Sequence, residues 1–143
     1  FIHLKKEYLS HNEQMGIALF DIDHFKAVND TYGHDMGDTV LKELVKVVQH
    51  FIRDNDKLIR YGGEEFIILL SSNAIEHTLK MAQHLCNAIA NHNFSTPHPI
   101  TCSFGVTHCI ESDVEMNSTI KRADNALYQA KEAGRNQVAI QKS

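Results

Sequence analysis

Apolar residues occur in two arrangements along the chain, unbroken runs and stripes spaced three and four apart, and these predict strands and helices respectively. Met15 to Ile22 is an unbroken run that closes on Asp21 and Asp23, the pattern of a central strand with acids at its C-terminal end. A short helix follows over Phe25 to Tyr32, and Gly33-His34 ends it. Val40, Leu41, Leu44, Val47, Val48 and Phe51 form an amphipathic stripe with Asp38 near its start, where an N-cap would suffice to explain it. That helix stops near Arg53-Asp54-Asn55-Asp56. Leu58-Ile59 and Ile67 to Leu70 then enclose Arg60 to Phe66 as a β-hairpin, with Gly62-Gly63 expected in a tight turn at positive φ. Ile75, Leu79, Ala82, Cys86 and Ile89 predict a second long helix, and Asn91 to Pro99 a loop. A strand over Ile100 to Ile110 leads to a helix marked by Ile120, Ala123, Leu127 and Ala130, which Gly134 stops before a last strand at Val138 to Ile140. Phe1 to Leu9 has helical spacing but neither a capping residue nor a start methionine, as expected of a domain cut from a longer chain.

Strand, two helices, hairpin, helix, strand, helix and strand predict an α+β sandwich with helices packed over one mixed sheet. The order resembles the βααββαβ core of nucleotide cyclases and polymerase palms. With 143 residues the chain suits one domain, 1–143, with one continuous core.

Composition narrows the function classes. A net charge of −4 provides no global basic field, which disfavours a nucleic acid polymer as partner. Cys86, Cys102 and Cys109 form no Cys-x-x-Cys pair and read as reduced core thiols of a cytoplasmic domain. The ten histidines contain no His-Glu-x-x-His or comparable zinc pattern. No run approaches the roughly 20 apolar residues of a membrane span, so no membrane contact by this domain is expected.

Candidate chemistry gathers at the strand ends. In this topology Asp21 and Glu64 converge, and two readings fit them: solvated strand ends, or a hard oxygen-rich site for Mg²⁺. Phe25 and Lys26 open a helix whose backbone N–H groups favour anions. Lys131 and Arg135 flank a helix C-terminus, where they either complement its dipole or bind phosphate. Asn29 and Asp38 pair an amide with a carboxylate, a combination suited to a guanine edge.

Phe20-Asp21-Ile22-Asp23-His24-Phe25-Lys26, Asn29-Asp30, Gly33-His34-Asp35, Gly37-Asp38 and Arg60-Tyr61-Gly62-Gly63-Glu64-Glu65-Phe66 together resemble the GGDEF family of bacterial diguanylate cyclases. Ser103-Phe104-Gly105-Val106, Ala123-Asp124 through Ala130-Lys131 and Gly134-Arg135-Asn136 extend the resemblance over nearly the whole chain. It implies a nucleotidyltransferase that condenses two GTP into cyclic di-GMP and two pyrophosphates, as a homodimer with one GTP per domain. By the same resemblance Asp21, the carbonyl of Ile22 and Glu64 bind Mg²⁺, with Mn²⁺ as an alternative, and Glu64 or Glu65 takes the proton of the attacking hydroxyl. Asn29 and Asp38 read guanine, and His34 and Phe25 line the nucleotide site. Lys26, Lys131 and Arg135 hold the triphosphate. Arg53 and Asp56 match the family's product-inhibition motif, although Lys80 and His84 stand where a supporting arginine is usual. The opening Asp-x-Leu-Thr-Gly-Leu segment is absent, which implies truncation at the N-terminal edge and an upstream regulatory region, membrane-attached in some such proteins. The competing reading is a catalytically weak receptor for GTP or cyclic di-GMP.

Overall fold

A computed structural model describes residues 15–71, 74–109 and 116–141, with the backbone alone at 116 and 117. The helix expected over Phe1 to Leu9 lies outside the described residues. The elements are β1 (Met15–Ile22), α1 (Phe25–Tyr32), α2 (His34–Phe51), β2 (Lys57–Arg60), β3 (Glu65–Ser71), α3 (Ile75–Asn91), β4 (Cys102–Cys109), α4 (Met116–Glu132) and β5 (Val138–Ile140). Their order is the one the apolar pattern predicts.

The strands form one sheet in the order β2-β3-β1-β4-β5. β1 runs antiparallel to both β3 and β4, whereas β4 and β5 are parallel, so the sheet is mixed. β1 is buried at every position because the sheet is covered on both faces, which also explains its unbroken apolar run. Ala18, Phe20, Ile22, Phe66, Ile68 and Phe104 pack on one face with residues of α1, α2 and α3. Met15, Ile17, Leu19, Ile67 and Leu69 point to the other, against Ala123 and Leu127 of α4.

Two features fix where β1 ends. Phe20 lies opposite Phe66 on one side and Phe104 on the other, and the rings stack at 5.4 and 4.7 Å. Such cross-strand aromatic pairs pin the register of three strands one residue before Asp21. Gly105, opposite Leu19, then allows α4 to approach, since a Cβ there would lie 2.1 Å from the Ala123 carbonyl oxygen and 2.3 Å from the Leu127 nitrogen. The sheet therefore carries α4, and the cations near its C-terminus, down onto the strand ends.

The helical boundaries differ from expectation in one place. α2 begins at His34, directly after Gly33 at φ 91°, so a single glycine separates it from α1. Asp38 consequently lies inside α2, exposed, and is not its N-cap. The apolar stripe starts late because His34, Asp35, Asp38 and Thr39 face solvent.

Candidate active site

Asp21 is the penultimate residue of β1 and faces Glu65 of β3 and Ser103 of β4 across the ladder. It is 3% exposed, and Lys131 of α4 donates to its Oδ2 at 2.5 Å. Its Oδ1 is buried with no hydrogen-bond partner. Burial pushes the Asp21 carboxyl above its ordinary range despite the Lys131 hydrogen bond and charge, with Asp23 adding to the rise and Arg135 opposing it. Removing this carboxylate from water thus costs more than one lysine recovers. An orphaned anionic oxygen beside a lysine is the environment that a further cation would complete.

The hairpin brings a second carboxylate to the same place. Its loop is Tyr61 to Glu64, longer than a two-residue turn, and closes through the Tyr61 and Gly62 N–H groups on the Glu65 carbonyl at 2.8 and 3.2 Å. Arg60 holds the loop from below, donating through Nε to the Gly62 carbonyl at 3.3 Å and through Nη2 to that of Gly63 at 2.5 Å. Positive φ among the described glycines occurs at Gly33 and Gly134, not at Gly62 or Gly63. The expected left-handed turn is thus replaced by a wider loop tied down by an arginine. At Gly63 an added Cβ would meet no protein atom within 4 Å, so what glycine supplies there is clearance above the loop.

A depression of about 180 Å³ opens where these elements meet. Asp21, Ile22, Asp23 and His24 from the end of β1 line it together with Glu64. Phe25 and Lys26 of α1 and Lys131 and Arg135 from the end of α4 complete it. α1 begins after His24, whose side chain makes no capping hydrogen bond. Lys26, Lys131 and Arg135 make the rim cationic over an acidic floor. A volume this small suits a metal ion and phosphate groups better than a whole nucleotide, for which sites of about 300 Å³ and upward are usual.

The other predicted residues lie around it. Glu65 is half-buried opposite Asp21, and burial, Asp21 and Asp124 raise its carboxyl above the ordinary range while Lys131 opposes them. The Asn29 side chain rests against α2, its Oδ1 1.9 Å from where a Cβ of Gly37 would be. Asp38, the next residue of α2, lines a separate cavity with Leu41, Lys42, Arg60 and Phe66. His34 is the exposed first residue of α2. Arg53 and Asp56 stand apart, in a separate cavity of about 300 Å³ with His77, Lys80 and His84 of α3. Asp56 there accepts the backbone N–H groups of Arg53 and Ser71 at 2.9 and 3.3 Å and so organises the loop that presents Arg53.

Any cation in the depression would draw on oxygen. Among the described residues no three His, Cys, Asp or Glu side chains gather as a metal-holding cluster. Two carboxylates, a backbone carbonyl and substrate phosphates form a donor set that fits Mg²⁺ or Mn²⁺ and does not fit zinc. Together with the unpartnered Asp21 Oδ1, this donor chemistry fits the metal that the sequence implies.

The family model described as "Diguanylate cyclase, GGDEF domain" matches residues 2–137. The chain belongs to the GGDEF family. It is 40% identical over 129 residues to the probable diguanylate cyclase DgcT of Escherichia coli K12, covering 87% of this chain and 28% of that protein. It is 36% identical over 134 residues to diguanylate cyclase A of Treponema denticola, covering 92% of this chain and 36% of the relative. The chain thus spans about a third or less of these relatives' length. Among solved structures it resembles the active GGEEF domain of a diguanylate cyclase from Vibrio cholerae, with a TM-score of 0.88 and 35% identity over 96% of this chain and 89% of that one. It also resembles the GGDEF domain of DgcB from Caulobacter crescentus in complex with c-di-GMP, with a TM-score of 0.88 and 28% identity over 96% and 84% of the two chains.

Sequence reasoning assigned no role to Arg60 or to the surroundings of Asp23. Arg60 had a local signal, since it stands two and three residues before the carbonyls it binds. The partners of Asp23 are 78 to 113 residues away and leave no spacing to read. No helix among the described residues is long and apolar enough to cross a membrane.

Proposed function

We propose that this GGDEF domain condenses two GTP molecules into cyclic di-GMP, with the depression at the end of β1 as the polyphosphate and metal site. The observation that carries the reading is the buried, unpartnered Asp21 Oδ1 in a depression that Glu64 shares and Lys26, Lys131 and Arg135 surround. An acidic floor with a basic rim matches a cation bridged to phosphates, and the relatives' names supply the reaction.

Asn29 and Asp38 would read the guanine edge beside His34, outside the small depression and above α1 and α2. Lys26, Lys131 and Arg135 would hold the β- and γ-phosphates, which orients the α-phosphorus toward a second nucleotide. Mg²⁺ or Mn²⁺, held by Asp21, the Ile22 carbonyl and Glu64, would supply neutralisation of phosphate charge. The 3′-oxygen of one GTP forms a bond to the α-phosphorus of the other as the bond to the departing pyrophosphate breaks. Glu64 is assigned to receive the hydroxyl proton, with Glu65 beside it. A second such transfer closes the ring. One domain offers a single site of this kind among its described residues, so the second GTP arrives on another copy of the domain facing the first across a two-fold axis. The same solution chemistry makes a cytoplasmic setting the natural one, where GTP is available.

Arg53 and Asp56, with Lys80 and His84 in the same cavity, form a second site, which we assign to product binding. Incubation with GTP and Mg²⁺ at high protein concentration, with the products resolved, tests the main reading. Cyclic di-GMP is expected from the unaltered domain and not from Glu64→Ala. Recovery of unchanged GTP alone would defeat the assignment.

A further inference from the structure

Asp23 looks from its position like a further acid of the metal site, since it lines the same depression as Asp21 and Glu64. Its bonds say otherwise. Ser103 donates to Oδ1 at 2.6 Å, and Thr101 and the Asn136 backbone N–H donate to Oδ2 at 2.7 and 3.0 Å. Three of the roughly four lone-pair directions of a carboxylate are therefore taken. The residue is 8% exposed, and its own N–H is bonded to the Thr101 carbonyl at 2.9 Å.

What these bonds hold is a costly piece of backbone. Beyond the end of α4 the chain passes through Gly134 at φ 120°, Arg135 at φ 63° and Asn136 at φ 47°. Left-handed conformations are easy for glycine, tolerated by asparagine and unfavourable for arginine, and consecutive ones persist only where neighbouring structure imposes them. Three contacts impose them here. The Arg135 N–H donates to the Ala130 carbonyl at 3.0 Å, Gln137 Nε2 donates to the Arg135 carbonyl at 3.0 Å, and Asp23 takes the next N–H. This turn delivers the Arg135 side chain to the depression.

We infer that Asp23 is a positioning residue that clamps the Gly134 to Asn136 turn and so aims Arg135 at the bound phosphates, and that it is not a metal ligand. The inference rests on the phosphate-holding role proposed for Arg135. Through Ser103 and Thr101 the same carboxylate ties the end of β1 to the start of β4, so the clamp is anchored on the strand that carries Asp21 and on its neighbour.

The test is equilibrium binding of guanosine 5′-[(α,β)-methyleno]triphosphate, which cannot release pyrophosphate, alongside Mn²⁺ binding followed by electron paramagnetic resonance. Asp23→Ala, which removes the acceptor of the Asn136 N–H, is expected to weaken the nucleotide about tenfold while leaving Mn²⁺ affinity within about twofold. The double variant with Arg135→Ala should bind no more weakly than Arg135→Ala alone. Asn136→Gly, which relaxes the left-handed backbone and keeps the N–H, should restore most of the affinity in the Asp23→Ala background. Should Asp23→Ala fail to fold, Ser103→Ala, which removes one of the three bonds, takes its place with a smaller loss of the same kind. A fall in Mn²⁺ affinity matching the nucleotide loss would overturn the inference, as would additivity with Arg135→Ala. Unaltered nucleotide binding by Arg135→Ala alone would instead remove the phosphate-holder reading on which it rests.

Discussion

Lys131 Nζ lies 2.5 Å from Asp21 Oδ2, while Oδ1 of the same carboxylate is buried and unpartnered. One cation at the end of α4 therefore satisfies half of a carboxylate at the end of β1. A second cation would satisfy the other half, and the two positive charges would bracket a bound phosphate chain. Asp21→Asn keeps the shape and removes the charge, so Mn²⁺ affinity should fall by about tenfold or more, because a direct ligand matters at least as much as an outer-shell partner. Mn²⁺ titration followed by electron paramagnetic resonance measures this, and an unchanged affinity would place the metal elsewhere.

The raised carboxyls of Asp21 and Glu65 have a consequence for the metal-free domain. A carboxyl that titrates higher in the fold than in the unfolded chain favours folding most below its ordinary value, 3.8 for Asp21 and 4.5 for Glu65. That contribution is lost as pH rises through the raised folded values, so at neutral pH the charged groups weigh against the fold. In EDTA, Asp21→Asn should accordingly be more stable than the wild type at pH 7, with the gap closing as pH falls into the carboxyl range. Added Mg²⁺ should stabilise the wild type and not the variant. Urea unfolding across pH checks both, and a gap independent of pH would contradict the assigned cause.

Gly63 separates folding from function. A Cβ there touches no protein atom within 4 Å, and the backbone is not in the positive-φ region. Gly63→Ala should leave stability unchanged or raise it by about 0.5 kcal/mol. If the clearance belongs to substrate, the same variant should lose most of its GTP turnover. A variant as active as the wild type would assign the space to solvent.

The element order was legible because unbroken runs and spaced stripes report directly on burial. β1 could be recognised because both of its faces are covered, and α2 and α3 because only one of theirs is. The approach of Asp21 to the hairpin followed from topology. What escaped was whatever depended on loop closure or distant partners. Gly62-Gly63 suggested a left-handed turn, yet the loop is closed by Arg60 and by Glu65, and the left-handed backbone outside glycine appears at His24, Arg135 and Asn136 instead. Asp38 resembled a cap because the apolar stripe begins only at Val40, and only Gly33 at φ 91° reveals where that helix starts. The bonds of Asp23 to Thr101, Ser103 and Asn136 join residues that no local pattern connects.

The cavity of Arg53 contains Lys80 and His84, but no second guanidinium. A lysine supplies a point charge, whereas an arginine offers a planar fork that matches phosphate or a guanine edge bidentately. His84→Arg should tighten cyclic di-GMP binding, by about tenfold for one charge-assisted pair, and Arg53→Ala should weaken it. Calorimetric titration with cyclic di-GMP measures both. Binding indifferent to either substitution would show that the product does not use this cavity.

Gly105 connects the packing of the sheet to the position of the cations that we assign to phosphate. A side chain there would collide with the Ala123 carbonyl and with the Leu127 backbone, at 2.1 and 2.3 Å, and neither atom belongs to a flexible group that can swing aside. α4 would have to lift from β4. Gly105→Ala is therefore expected to cost about 3 kcal/mol, toward the upper end for overpacking, read as a lowered urea midpoint. Because Lys131 lies near the end of the displaced helix, the fraction that remains folded should also show weakened GTP binding. Gly16 provides the control. Its added Cβ would meet the Thr78 hydroxyl at 1.9 Å, on the opposite face of the sheet and far along β1 from Asp21. Gly16→Ala should destabilise the fold without changing the nucleotide affinity of the folded fraction. If both variants lower stability and leave GTP affinity intact, α4 does not set the position of Lys131, and the Asp21–Lys131 contact forms independently of how closely the helix packs.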